Sequence, residues 1–171
     1  VERLAPLAPS FVSVTYGAGG TTRDRTRNAI KAILERARLD VAGHLTCVGA
    51  SREETLAEAE GYRRLGARRI VALRGDAPKG AEKFEAHPEG FASSVELVAA
   101  LKAAGHERIS VGAYPEPHPE STDEAADFDH LKRKLEAGAD SAITQFFFDN
   151  ELFLRFRDAA VKAGIEAPIH P

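Results

Sequence analysis

Tyr16, His44, Asp76, Tyr114 and Gln145 each stand where an apolar run of the sequence breaks into a polar or charged cluster. Their side chains offer phenol, imidazole, carboxylate and amide groups. Together these can bind and orient a polar, flat ligand and move protons around it. Arg74-Gly75-Asp76 is the densest of the clusters. It reads either as a turn carrying a solvated ion pair or as a site where glycine admits backbone close to a flat ring, with a carboxylate alongside. Gln145, ahead of Phe146-Phe147-Phe148, is either a polar cap before an apolar wall or an amide whose donor and acceptor read a ring edge. His44 alone fits a hydrogen-bonded core histidine as well as a ligand contact. Tyr114-Pro-Glu-Pro-His-Pro-Glu120 is stiff, because three prolines fix φ and block helix. Lys132-Arg133-Lys134, taken alone, is the solvated face of an amphipathic helix. No Cys/His/Asp spacing fits a metal site, and Gly17-Ala-Gly-Gly20 lacks the spacing of a dinucleotide or Walker loop.

The elements that position these residues repeat. Apolar runs at Phe11–Tyr16, Val41–Cys47, Arg69–Asp76, Ile109–Tyr114 and Ser141–Gln145 each precede a helical stretch stopped by glycine. That is the grammar of βα units, with chemistry at the carboxyl ends of parallel strands. Thr21 and Thr22 precede a helix with Ile30, Ile33, Leu34 and Ala37 on one face, and Gly66 stops the helix opened by the capping box Ser51–Glu54. Leu97, Val98 and Leu101 line a third helix. Ser121–Glu124 reads as a second capping box, and Asp149 or Asn150 caps a fifth helix. Ala167–Pro171 is a candidate sixth strand. Five complete units do not close an eight-fold barrel, so the pattern fits an open doubly wound sheet or a section of a (β/α) barrel. The polar strand ends lean toward the barrel, whose rim gathers them into one pocket.

Bulk properties narrow the field. The chain of 171 residues is 43% hydrophobic and 29% charged with a net charge of −3, the composition of one soluble domain. No basic block suggests nucleic acid, and no run approaches the roughly 20 apolar residues of a membrane span. Cys47, the single cysteine, reads as a buried thiol in a reducing, cytoplasmic setting.

Six blocks carry a resemblance. Phe11–Ala18, His44–Cys47, Ala72–Asp76, Ala113–Glu120, Leu131–Lys134 and Ala142–Asp149 closely resemble, in order and spacing, the methylenetetrahydrofolate reductase family. The resemblance implies a TIM barrel of which this chain holds five to six of eight βα units. It also implies bound FAD and ping-pong reduction of 5,10-methylenetetrahydrofolate to 5-methyltetrahydrofolate by NADH or NADPH. FAD contacts carry over to Tyr16, Ala18, His44, Arg74, Gly75, Asp76, Ala92, Tyr114, His118, Asp127, His130, Arg133 and Lys134. Asp76 also carries over as a catalytic residue, beside the pyrimidine side of the flavin and against the folate. Thr15 carries over to the nicotinamide substrate, and Gln145 to both substrates in turn. Arg133 and Lys134 meet phosphate charge and Asp127 a sugar hydroxyl in this reading. His130 replaces a frequent Asn and Phe91 a frequent Tyr. The family's acid, a Glu in a Glu-Phe-Phe-Pro-Pro strand, lies outside this sequence, which leaves a non-catalytic FAD-binding module as an alternative. Another barrel enzyme, such as an aldolase, needs a strand-end Schiff-base Lys or a metal triad, and Lys79 falls in a loop. The expected partners are folate and NAD(P)H, with a homo-oligomeric assembly and no membrane.

Overall fold

A computed structural model describes residues 1, 3–16, 23–77, 80, 84–118 and 121–171. Thr21, Thr22, Lys79, Ala18 and the glycines of the first loop lie outside the described residues. Six parallel strands stand in chain order: β1 (Val12–Val14), β2 (Val41–Thr46), β3 (Arg69–Leu73), β4 (Arg108–Ala113), β5 (Ser141–Thr144) and β6 (Ile169–His170). The helices between them are α1 (Arg23–Ala32), α2 (Arg52–Leu65), α3 (Ser94–Ala103), α4 (Glu124–Glu136) and α5 (Asn150–Lys162). A doubly wound sheet reverses strand order at a switch point, and no reversal occurs here. The architecture is a section of a TIM barrel, a six-stranded sheet curled on itself. Phe11, just before β1, and His170 of β6 meet edge to face with ring centroids 5.9 Å apart, which measures the curl.

β2 to β4 are short and nearly continuous in apolar residues because both faces are covered. Leu45, Ile70, Ile109 and Val111 pack with Leu97, Leu101, Leu131 and Phe156 of the helices. A second cluster holds Ile30, Ile33, Val41 and Tyr62 together. The helical period from Arg23 widens into a π-turn at Ile33–Ala37, which ends on Arg38 in the left-handed conformation. Two contacts fix the strand that bears His44. A Cβ at Gly43 would lie 2.5 Å from Cδ2 of Tyr62, so glycine lets that ring lie flat on β2. The Tyr62 hydroxyl then donates to the His44 carbonyl at 3.1 Å.

The capping box at Ser51 is present in both directions, Glu54 N to Ser51 Oγ at 3.1 Å and Ser51 N to Glu54 Oε2 at 2.9 Å. Ser121–Glu124 is not a second one. Asp123 caps α4 by accepting from Ala126 N at 2.8 Å, and Ser121 Oγ donates to Asp127 instead. Aspartate caps at least as well as serine and stands next to the first helical residue, so it takes the position. Asp149 caps α5. At the amino ends of the strands Asp40 accepts from Arg69 at 2.7 Å and from Arg108 at 3.3 Å. This tie is remote from the strand ends where the polar residues gather.

Candidate functional site

The carboxyl ends of β1 to β5 enclose a cleft of about 490 Å³, within the range of small-molecule and cofactor sites. Tyr16, His44, Asp76, Tyr114 and Gln145, read from the sequence as one rim, all line it. Arg74, Gly75, His118, Asp127, His130 and Lys134 line it too. Thr15, Ala92 and Arg133 do not. The Thr15 carbonyl accepts from Thr26 Oγ1 at 3.1 Å, and Ala92 is exposed above α3, its N–H donating to Glu96. Phe91 is buried in the core under the Arg52 guanidinium.

The basic triplet divides. Arg133 points outward to Asp129 at 3.0 Å, whereas Lys134 turns inward, 4% exposed, and donates from Nζ to the Gly112 carbonyl at 2.6 Å. Burial pushes the Lys134 ammonium down to about 8, opposed in part by the Asp127 carboxylate. One turn earlier on the same face, His130 stands beside Ser94 Oγ, 3.5 Å from Nε2. Burial first, then the Lys134 and Arg133 charges, push its imidazole down to about 4, so it is neutral at pH 7. Burial also lowers His44. Tyr16 accepts from Arg23 Nε at 2.9 Å; burial raises its phenol and the Arg23 charge opposes the rise. The cleft thus presents neutral imidazoles alongside fixed charge.

Its loops are held from below. Gly75 adopts φ +88°, a conformation few other residues take, and a Cβ there would come within 3.1 Å of Thr46 Cβ and 3.2 Å of Val48 Cβ. Arg74 lies over the Phe84 ring at 4.9 Å, and its carbonyl accepts from Cys47 N at 3.0 Å. In the proline loop Tyr114 and His118 meet edge to face at 4.7 Å. Asp127 clasps that loop to α4, taking His118 N at 2.8 Å on one oxygen and the Ser121 hydroxyl on the other. After β5, Phe147 stacks on Phe153, while Phe146 and Phe148 are 76% and 95% exposed beside Gln145.

Further lining residues were not singled out from the sequence: Ser13, Thr46, Ser94, Gly112, Ser121 and Thr144. Gly112 lacks a steric reason to be glycine. A Cβ there would find Leu73 Cδ2 at 3.6 Å and the Tyr114 hydroxyl at 3.7 Å, ordinary contact distances. The bare position leaves room in the cleft floor where a flat ring can lie. Among the described residues no cluster of His, Cys, Asp or Glu could hold a metal ion. Burial pushes the Cys47 thiol up to about 12, so it is inert packing.

The family model described as methylenetetrahydrofolate reductase matches residues 1–171. The chain belongs to the methylenetetrahydrofolate reductase family. It is similar to the 5,10-methylenetetrahydrofolate reductases of Salmonella typhimurium, at 53% identity over 171 residues, and of Escherichia coli K12, at 52%. Each alignment covers the whole chain and 56% of the relative. A maize protein named methylenetetrahydrofolate reductase (NADH) 1 is 36% identical over 182 residues, covering 31% of its length. The chain therefore spans about half the length of its bacterial relatives. Among solved structures, oxaloacetate acetylhydrolase gives a TM-score of 0.65 at 16% identity, covering 98% of this chain and 60% of that one. 2,3-Dimethylmalate lyase gives 0.57 at 12%, covering 99% and 76%. These likenesses concern the fold alone. No described helix is long and apolar enough to cross a membrane. Within the methylenetetrahydrofolate reductase family, then, this chain supplies a run of barrel strands with one polar cleft at their carboxyl ends.

Proposed function

We propose that this chain supplies the cofactor-bearing wall of a reductase that converts 5,10-methylenetetrahydrofolate to 5-methyltetrahydrofolate with NADH or NADPH and holds FAD. The observation that carries the reading is the convergence of strand-end residues from five different strands on one cleft, in a chain matched end to end by this family. The cleft suits the cofactor in shape, through the bare floor at Gly112 and the close backbone at Gly75. It suits it in charge through Lys134, a buried cation that an anionic phosphate would restore to full protonation.

FAD, when bound, supplies an acceptor and donor of hydride. Gly75 and Tyr16 border the ring, Tyr114 and His118 form a rigid aromatic corner, and Lys134 faces phosphate charge. Asp127 holds the proline loop in place for that contact and can accept from a sugar hydroxyl with its remaining lone pairs. Ala18 belongs to this set by resemblance and lies outside the described residues. The Asp76 carboxylate sits at the cleft mouth, where its charge disfavours an added negative charge on the ring and accepts a hydrogen bond from the folate. The Gln145 amide offers a donor and an acceptor to either substrate. One cleft serving both requires them to enter in turn, a ping-pong order. The working assembly in this reading is a cytoplasmic homo-oligomer.

The test is the full-length protein. It is expected to show the visible spectrum of an oxidised flavin and to release FAD by mass spectrometry. A folded, colourless protein that takes up no FAD overturns the reading. Asp76→Asn is expected to leave reduction by NAD(P)H unchanged or faster while methylenetetrahydrofolate reduction slows, followed by rapid mixing of each half-reaction. Equal slowing of both removes the assigned role. Gln145→Glu is expected to weaken folate binding, since a carboxylate lacks the amide's donors, and an unchanged folate affinity takes Gln145 out of the site.

A further inference from the structure

Thr46 is the last residue of β2, two positions beyond His44 and on the same face of the strand. It is 7% exposed and lines the cleft. Among the described residues its Oγ1 is the buried side-chain oxygen that has no hydrogen-bond partner. Buried polar groups are almost always paired, so an orphan on a cleft wall is an address for something that binds there.

The fold itself gives no reason for the hydroxyl. Valine has the same branched shape, suits a strand equally well and would match the apolar neighbours Val71 and Leu73. What surrounds the hydroxyl is rigid. Thr46 pairs in register with Leu73, the next residue's N–H donates to the Arg74 carbonyl at 3.0 Å, and the position of a Gly75 Cβ lies 3.1 Å from Thr46 Cβ. The oxygen is therefore fixed directly beneath the Arg74-Gly75-Asp76 turn, where glycine brings the backbone close to whatever occupies the cleft. A preset donor and acceptor in an apolar wall discriminates sharply, because a ligand lacking the complementary group leaves it unpaired.

We propose that the Thr46 hydroxyl is a ligand contact that selects for a flat heteroaromatic ring with a polar edge, completing its hydrogen bonding only when that ring is bound. The inference rests on the reading that FAD occupies the cleft, and it adds the residue that recognises the ring from the β2 side.

Two variants of the full-length protein test it, Thr46→Val and Thr46→Ser, measured as apoprotein by thermal unfolding and by FAD titration. Thr46→Val is expected to raise the apoprotein Tm by roughly 2–4 °C, since the orphan hydroxyl is gone, and to weaken FAD binding by roughly five- to tenfold. Thr46→Ser, which keeps the hydroxyl, is expected to bind FAD within about twofold of the native protein while losing some stability with its methyl. A merely structural role would move stability and affinity together, not in opposite directions. Thr46→Val binding FAD as tightly as the native protein overturns the inference and leaves the flavin reading intact. A native apoprotein that takes up no FAD overturns both.

Discussion

Lys134 is the residue whose chemistry is most altered by its position. Its ammonium is buried on a backbone carbonyl and pushed down to about 8, against roughly 10.4 in an open chain. The sign of two linked effects follows. In the apoprotein the unfolded state binds the proton more tightly than the folded state between pH 8 and 10.4, so this group makes stability rise across that window. A phosphate-bearing ligand favours the charged form, so binding takes up a proton once pH exceeds about 8. FAD affinity is therefore expected to be flat below about pH 7.5 and to fall by up to about tenfold per unit above 8, measured by titrating apoprotein at successive pH values. Lys134→Met should lower the affinity at pH 7 and flatten the profile; a flat profile in the native protein would detach Lys134 from phosphate. The inward turn of Lys134 was legible, though only by counting. Asp127, His130 and Lys134 follow the i, i+3, i+7 spacing of one helical face, whereas Arg133 falls with Asp129 on another. Reading the three basic residues as a block hides that division. Thr46 was not legible, because a threonine inside an apolar strand looks the same whether or not its hydroxyl has a partner.

Elements were legible where local chemistry decides them and less so where neighbours compete. The Ser51 box forms because serine and glutamate stand at the required spacing with no stronger cap nearby. At α4 the same spelling fails because Asp123 intervenes and Ser121 is drawn to Asp127. The tie between α1 and α2 has no sequence signature, since it joins residues on separate helices. Arg27 donates to the Glu58 carboxylate at 3.0 and 2.5 Å, with Glu58 only 2% exposed and Arg27 43% exposed. This asymmetry sets an order of effects. Arg27→Ala strands a buried carboxylate and is expected to cost about 3 kcal/mol, as does breaking other buried pairs from one side. Glu58→Gln leaves an arginine that can reach water, together with an amide that still accepts, so about 1 kcal/mol is expected. Urea unfolding of the two variants checks the order, and equal losses would mean that the pair behaves as a surface contact.

At the scale of the molecule, spacing alone left a doubly wound sheet and a barrel section both open. Strand order decides between them, and order is a long-range property that no local window carries. The identities of the strand-end residues did carry it indirectly, because a common rim is what gathers Tyr16, His44, Asp76, Tyr114 and Gln145. The same order exposes a liability. β1 pairs only with β2 and β6 only with β5 among the described residues, so the curled sheet presents two open edges, and the contact of Phe11 with His170 adds no backbone pairing between them. Open edges recruit other chains. The exposed Phe146 and Phe148 beside the cleft add apolar surface of the kind that favours association. Residues 1–171 expressed alone are therefore expected to aggregate and to show no useful reductase activity. The family's acid glutamate is outside this sequence, and general acid help is typically worth about 10² to 10⁴ in rate. The same residues within a full-length relative-sized chain, with the edges paired, are expected to be soluble and active. Light scattering and turnover on the two proteins make the comparison. A monodisperse and fully active preparation of residues 1–171 would show that the edges are covered in another way and that the acid lies within this chain.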